Sequence, residues 1–252
     1  LPETTALMRY LPQYVCVVVL CITASVFAAD TPDTWKPVPV VVSVNESGVP
    51  SDAIVLFDGT NTDAWCSAKS PNAPAPWKIV DGALVVVPQS GDICTKIALK
   101  DVQLHIEFRE PAEVKGSSQG RGNSGVIFMG RYELQVLDSH DNPTYVKGQA
   151  GSVYNQHAPL VNASKKPGEW QKYDVVWIAP RFAADGSLMK PARITVFHNG
   201  VIVQHDFTVI GPTHMSKPVY TVHAESLPLK LQDHHNPVAF RNIWVRLLDK
   251  TE

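Results

Sequence analysis

Arg131, Glu133 and Gln135 occupy alternate positions in Arg131-Tyr132-Glu133-Leu134-Gln135-Val136-Leu137-Asp138, just after the glycine-rich run Gly120-Arg121-Gly122-Asn123-Ser124-Gly125. Extended chain points successive side chains to opposite faces. A guanidinium, a carboxylate and an amide therefore share one face, and Tyr132, Leu134 and Val136 share the other. The apolar face suits a core. The polar face suits the floor of a cleft, where a carboxylate moves a proton, an amide holds hydroxyls and a guanidinium steadies negative charge. The same alternation describes an edge strand with a solvated face, and the pattern alone leaves both readings open.

Asp138 falls at the wrong parity to join Glu133. A β-bulge between Gln135 and Asp138 would correct this. Retaining β-glucanases of the laminarinase type carry Glu-x-Asp-x-x-Glu at the same spacing, but here the middle residue is Gln and the last is Asp. An amide cannot ionise as a carboxylate does, which weakens a standard two-carboxylate glycosidase reading.

A second polar group is Leu231-Gln232-Asp233-His234-His235-Asn236-Pro237. Extended, it sets Gln232 and His234 on one face. A neutral imidazole can act as a base or a metal ligand, while adjacent polar residues also build Asx turns. His157 lies in the long loop after residue 139 and His223 in Tyr220-Thr221-Val222-His223. Each reads equally as a packed or surface histidine. Trp170 reads as a sugar-stacking platform or as a core anchor.

The elements that must position these groups are strands. Ile54–Phe57 ends at Asp58-Gly59, and Trp77–Val80 turns through Asp81-Gly82 into Ala83–Val87, a hairpin signal. Val102–Arg109 alternates strictly. Tyr173–Ile178, Ala192–Phe197, Val201–Phe207 (after His198-Asn199-Gly200) and Phe240–Leu248 complete the set. No stretch keeps a helical period. Short strands with Gly, Asp and Asn turns predict an all-β sandwich or barrel. Residues 114–121 and 139–170 read as long loops, which often border sites.

Of 252 residues, 22 are basic and 24 acidic, with no basic stripe, so nucleic acid is not an expected partner. Residues 8–28 read as a secretory leader: Met8-Arg9, the apolar run Val15–Ile22, then Val26-Phe27-Ala28 as a cleavage site. The run is short for a membrane span, so the expectation is a secreted or periplasmic protein without a stable anchor. Residues 1–7 precede this leader, 29–48 read as a linker, and 49–252 as the folded domain. Two of the four cysteines lie in the leader. Cys66 and Cys94 would enter an oxidising compartment, where a disulfide is an option; neither belongs to a Cys-x-x-Cys pair.

Taken in order, Leu56-Phe57-Asp58-Gly59, Trp77-x-x-x-Asp81-Gly82, Gly122-Asn123-Ser124-Gly125, Tyr132 to Asp138, Gly151-Ser152-Val153-Tyr154, Pro167-Gly168-Glu169-Trp170, His198-Asn199-Gly200, Leu231 to His234 with Asn236-Pro237-Val238, and Phe240 to Trp244 resemble the 3-keto-disaccharide hydrolase domain family. The resemblance spans Ile54 to Leu248. It implies a concanavalin-like jelly-roll β-sandwich of two antiparallel sheets with a cleft on the concave face, and a glycoside or oligosaccharide substrate already oxidised at C3. A C3 ketone acidifies the C2 hydrogen, so a base, an enolate stabiliser and a leaving-group acid suffice. The resemblance further implies Glu133 and His234 as base or metal ligands, with a divalent ion across the substrate oxygens. Asn123, Gln135, Gln232 and Asp233 are then substrate-binding candidates, Arg131 a charge stabiliser, and Asp138, His157 and His223 further cleft residues. His235 stands where the family commonly has Gly. A non-catalytic carbohydrate-binding sandwich and a conventional β-glucanase remain the alternatives. Oligomeric state is not legible.

Overall fold

The structure, a computed structural model, describes residues 40–248. The leader at 8–28, the residues before it and most of the linker lie outside the described residues. The unit that carries the fold runs from Val42. In chain order its strands are β1 (Ile54–Phe57), β2 (Trp65–Ser67), β3 (Lys78–Val80), β4 (Ala83–Val85), β5 (Ile93–Leu99), β6 (Val102–Arg109), β7 (Ser124–Phe128), β8 (Tyr132–Val136), β9 (Gln171–Ile178), β10 (Arg181–Phe182), β11 (Leu188–Lys190), β12 (Arg193–His198), β13 (Val201–Thr208), β14 (Leu227–Leu231) and β15 (Ala239–Leu247). No α-helix occurs among the described residues.

The strands form an eight-stranded sheet, ordered β13-β12-β9-β6-β15-β4-β3 with β1 also on β15, a five-stranded sheet, ordered β2-β5-β14-β7-β8, and a separate β10-β11 pair. Pairing within both large sheets is antiparallel. This is the sandwich that the alternating pattern predicts. The inward face of β6 is Val102, Leu104, Ile106 and Phe108, each buried and in register with Trp177, Val175, Tyr173 and Gln171 of β9. From the opposite sheet, Phe128 and Tyr132 bring their rings to within 4.8 and 5.3 Å of Trp177. Burying such side chains contributes about 1.5–3 kcal/mol each, and this aromatic contact joins the two layers.

Both predicted hairpins form. Asp81 and Gly82 have φ of 51° and 71°, and Asn199 and Gly200 have 53° and 83°. Two-residue hairpin loops of the primed types need these positive φ values, which Asp, Asn and Gly tolerate best. The sequence pattern missed β2, β5, β7, β10, β11 and β14. β14 contains Pro228, a residue that argues against a central strand. The ladder to β5 absorbs it by a register shift between Pro228 and Lys230. The end of the segment read as linker closes a turn, with Val44 bridging Pro50 and Ser51 N donating to Ser43 O at 2.8 Å.

Candidate active site

β8 separates its side chains as expected. Tyr132, Leu134 and Val136 enter the core, and Glu133 and Gln135 take the outer face of the five-stranded sheet. That face is not solvated at β8: Glu133 is 3 % exposed and Gln135 1 %. The edge of β8 is covered by later loops. Tyr154 N donates to Glu133 O at 3.1 Å, Gln135 N to Ser152 O at 3.0 Å, and Gly151 N to Gln135 O at 3.0 Å. Thr213 adds a clasp: its Oγ1 accepts from Glu133 N at 3.1 Å and its N donates to Arg131 O at 3.0 Å. The loops thus finish an otherwise unpaired edge and roof the polar residues.

The ladder places the neighbours. One row across the sheet reads Cys66, Cys94, Lys230, Ile127, Glu133. In the next, Gly125 opposes Gln135, and Gln232 N donates to Gly125 O at 3.1 Å. Gly125 is thus a floor ringed by Glu133, Gln135 and Gln232. A Cβ there would lie 2.4 Å from Glu133 Oε1. Around this floor Glu133 Oε2, Gln135 Oε1 and Gln232 Oε1 are all buried without a hydrogen-bond partner. An unmet buried acceptor costs about 1–3 kcal/mol, so a ligand rich in hydroxyl donors would be favoured here.

The remaining contacts orient the ring. Gln135 Nε2 donates to Gln119 Oε1 at 3.0 Å and Asn123 Oδ1 at 3.4 Å, which leaves its carbonyl oxygen free. Asn123 Nδ2 donates to Gln119 O at 2.6 Å, and Asn123 N to Asn236 Oδ1 at 2.7 Å. Asn123 therefore braces Gln135 and Gln119. Burial pushes the Glu133 carboxyl up to about 8, with Lys230 pulling it down and Asp92 raising it. Lys230 Nζ lies 2.8 Å from Asp92 Oδ2, which offsets most of its charge. His214 Nε2 is 3.5 Å from Glu133 Oε2, and burial, then Lys230, hold this imidazole below its usual range. A carboxyl near neutrality beside a neutral imidazole suits proton transfer. Tyr154 lies 6.2 Å from the His214 ring, and its hydroxyl is 2.7 Å from that of Tyr145.

The other candidates lie apart from this ring. His234 is exposed beyond the end of β14, with its ring 6.2 Å from that of His235. Asp233 shapes that turn, accepting from Gly91 N and His235 N at 2.9 Å each. Asp138 is buried against Arg121 Nε at 2.6 Å. The β7–β8 register is unbroken through Val136, the last residue of β8, and Asp138 N donates to Arg121 O at 3.2 Å beyond it. His157 bonds Gln204 Oε1 at 2.8 Å and stacks on Phe207. His223 meets the Tyr132 hydroxyl at 2.8 Å. Arg131 precedes β8, and its charge acts on Tyr132 and His223. Trp170 lies between two arginines, with the guanidinium carbons of Arg109 and Arg241 4.6 and 4.1 Å from its ring centre.

His214, Lys230, Asp92 and Gly125 were missed by sequence reasoning. Lys230 shares the parity of Gln232, so extending that strand backwards would have found it; Pro228 hid the strand. His214 sits on an aperiodic loop and carries no such signal. A divalent ion at Glu133 and His234 meets an incomplete donor set. Among the described residues no group of three or more His, Cys, Asp or Glu is placed to hold an ion. The ring supplies one carboxyl and two amide oxygens.

The two-sheet β-sandwich carries a buried carboxyl among unpaired amide oxygens on one sheet face, and the family it falls in is one of carbohydrate-active proteins. The chain belongs to the family described as the 3-keto-alpha-glucoside-1,2-lyase-like domain, which matches residues 52–246. A 3-keto-disaccharide hydrolase of Bacteroides thetaiotaomicron is 24% identical, with 80% of this chain and 81% of that protein covered. A crystal structure from Parabacteroides distasonis, provisionally named a glycosyl hydrolase, is 46% identical with a TM-score of 0.80, covering 84% of this chain and 93% of that one. A second structure from that organism, with the same provisional name, is 20% identical with a TM-score of 0.58 over 79% of this chain and 94% of the other, and shares the fold.

Proposed function

We propose that this protein is an exported enzyme that cleaves the glycosidic bond of 3-keto-glycosides, with Glu133 as the base. The observation that carries the reading is the raised Glu133 carboxyl above Gly125, ringed by acceptors without donors. A base is most effective when its pKa lies near the working pH. A carboxylate lifted towards 8 is a stronger base towards a C–H bond than an ordinary one.

Glu133 takes the C2 proton, and the electron pair moves onto the C3 oxygen as an enolate. The pair then returns to form the C1–C2 double bond and expels the C1 oxygen, which takes the proton now on Glu133. Water adds across the double bond, with its proton on C2 and its hydroxyl on C1. Gln135 and Gln232 accept from sugar hydroxyls, and the neutral His214 imidazole steadies Glu133 through the exchange of its proton. This route needs no second carboxylate, consistent with an amide at position 135. Export rests on the leader at 8–28.

The test is incubation of the purified protein with a 3-keto-disaccharide and with its unoxidised parent, with and without divalent ions. Release of sugar from the keto form alone, abolished in Glu133→Gln, is expected. Equal cleavage of the unoxidised sugar, or binding without release under every condition, would overturn the reading.

A further inference from the structure

Cys66 and Cys94 stand directly opposite each other on β2 and β5, in the same outer row as Lys230 and Glu133. Both are free, and their sulfurs are 3.3 Å apart. Two residues to either side, Lys96 N donates to Ala64 O and Ala68 N to Asp92 O, each at 2.9 Å. Alternation of the ladder makes Cys66 and Cys94 a hydrogen-bonded pair, whose Cα atoms lie about 5.5 Å apart. That separation is inside the range a disulfide spans. We propose that Cys66 and Cys94 are a thiol–disulfide exchange site that closes into a reversible cross-strand staple of the active-site sheet.

The exchange balances with an external disulfide as oxidant. One cysteine thiolate attacks the donor disulfide and releases one thiol. The second cysteine then attacks the mixed disulfide, forms the Cys66–Cys94 bond and releases the other thiol. Burial, with the Cys66 hydrogen bond and charge behind it, pushes the Cys94 thiol up to about 12. Cys94 is therefore slow to attack at neutral pH and quickens as pH rises.

The position gives the bond a purpose. β2 is a three-residue edge strand, the part of a sheet that opens first. The 28-residue separation between the cysteines contains β3 and β4, which belong to the opposite sheet. A bond here closes a loop that leaves the five-stranded sheet, visits the other layer and returns. Such closure restricts the unfolded chain. The staple is expected to act on stability, through the loop it closes.

The experiment treats the full chain with dithiothreitol or with oxidised glutathione at neutral and alkaline pH, followed by intact mass, peptide mapping without reductant and thermal melting. The expected result is loss of two hydrogens, a peptide joining Cys66 to Cys94, faster closure at alkaline pH, and a Tm several degrees above the reduced form. Cys66→Ser and the double serine variant should show no redox shift in Tm. Persistence of both free thiols, glutathione adducts alone, or a redox Tm shift that survives in Cys66→Ser would overturn the proposal.

Discussion

Gly125 lies directly under the Glu133 carboxyl, so close that a Cβ at Gly125 would stand 2.4 Å from Oε1 and 3.0 Å from Cδ. The glycine is part of a buried strand with no positive φ demand, so its role is the space it leaves. Gly125→Ala should therefore preserve the sandwich and evict the carboxyl. Misplacement by about 1 Å can cost on the order of 100-fold in rate. Turnover of a 3-keto-disaccharide should fall by at least that much with the far-UV spectrum unchanged. Near-native turnover in the alanine variant would separate Glu133 from the chemistry.

Because only ionised Glu133 can take a proton, kcat/KM should rise with pH and level off above about 8. Lys230 holds this carboxyl down and Asp92 pushes it up. Lys230→Met should move the limb to higher pH, and Asp92→Asn should move it lower. Profiles of the three proteins on one substrate decide this; a limb that ignores both substitutions would assign it to another group.

Much of the fold was readable because β6 and β8 alternate strictly and because Asp81-Gly82 and Asn199-Gly200 are turn signals with a mechanism. Glu133 and Gln135 were readable for the same reason. Their partners were less so. Pro228 disguised the strand carrying Lys230, and Gly125 looked like loop because its value lies in a missing side chain. His214 reaches Glu133 through the Thr213 clasp on Arg131 and Glu133, a tertiary contact that leaves no period in the chain. Gln232 fell where its parity placed it, whereas His234, two residues on, follows the end of the strand and loses the face.

The raised carboxyl also predicts a cost in stability. With its carboxyl pushed by burial to about 8 from an ordinary 4.5, Glu133 keeps its proton in the native state over a range where the unfolded chain has lost it. The native state then binds more protons, so stability falls as pH rises from about 4.5 to 8. Glu110, also pushed to about 8 by burial, has the same sign. Glu133→Gln removes one such group and supplies an amide donor near the unpaired oxygens of Gln135 and Gln232. Relative to wild type, this variant should gain roughly 1–3 kcal/mol between pH 5 and pH 8. Urea melts at both pH values measure it, and a difference that does not grow with pH would refute it.

The histidine placed beside Glu133 is His214. His214 lies 3.5 Å from Oε2, with its side chain 45 % exposed, whereas His234 is exposed beyond the end of β14 beside His235. A positioned proton-transfer group is worth about 100- to 10,000-fold, and His214 acts only through Glu133, so its loss should fall below that range. His214→Ala should lower kcat by roughly 10- to 100-fold on that scale with a smaller change in KM. It should also displace the Glu133 pH limb, a readout that loss of packing alone would not move. His234→Ala should leave both rate and limb within a few-fold of wild type. The reverse ranking would return the role to His234 and require the turn after β14 to fold over Glu133 when substrate binds.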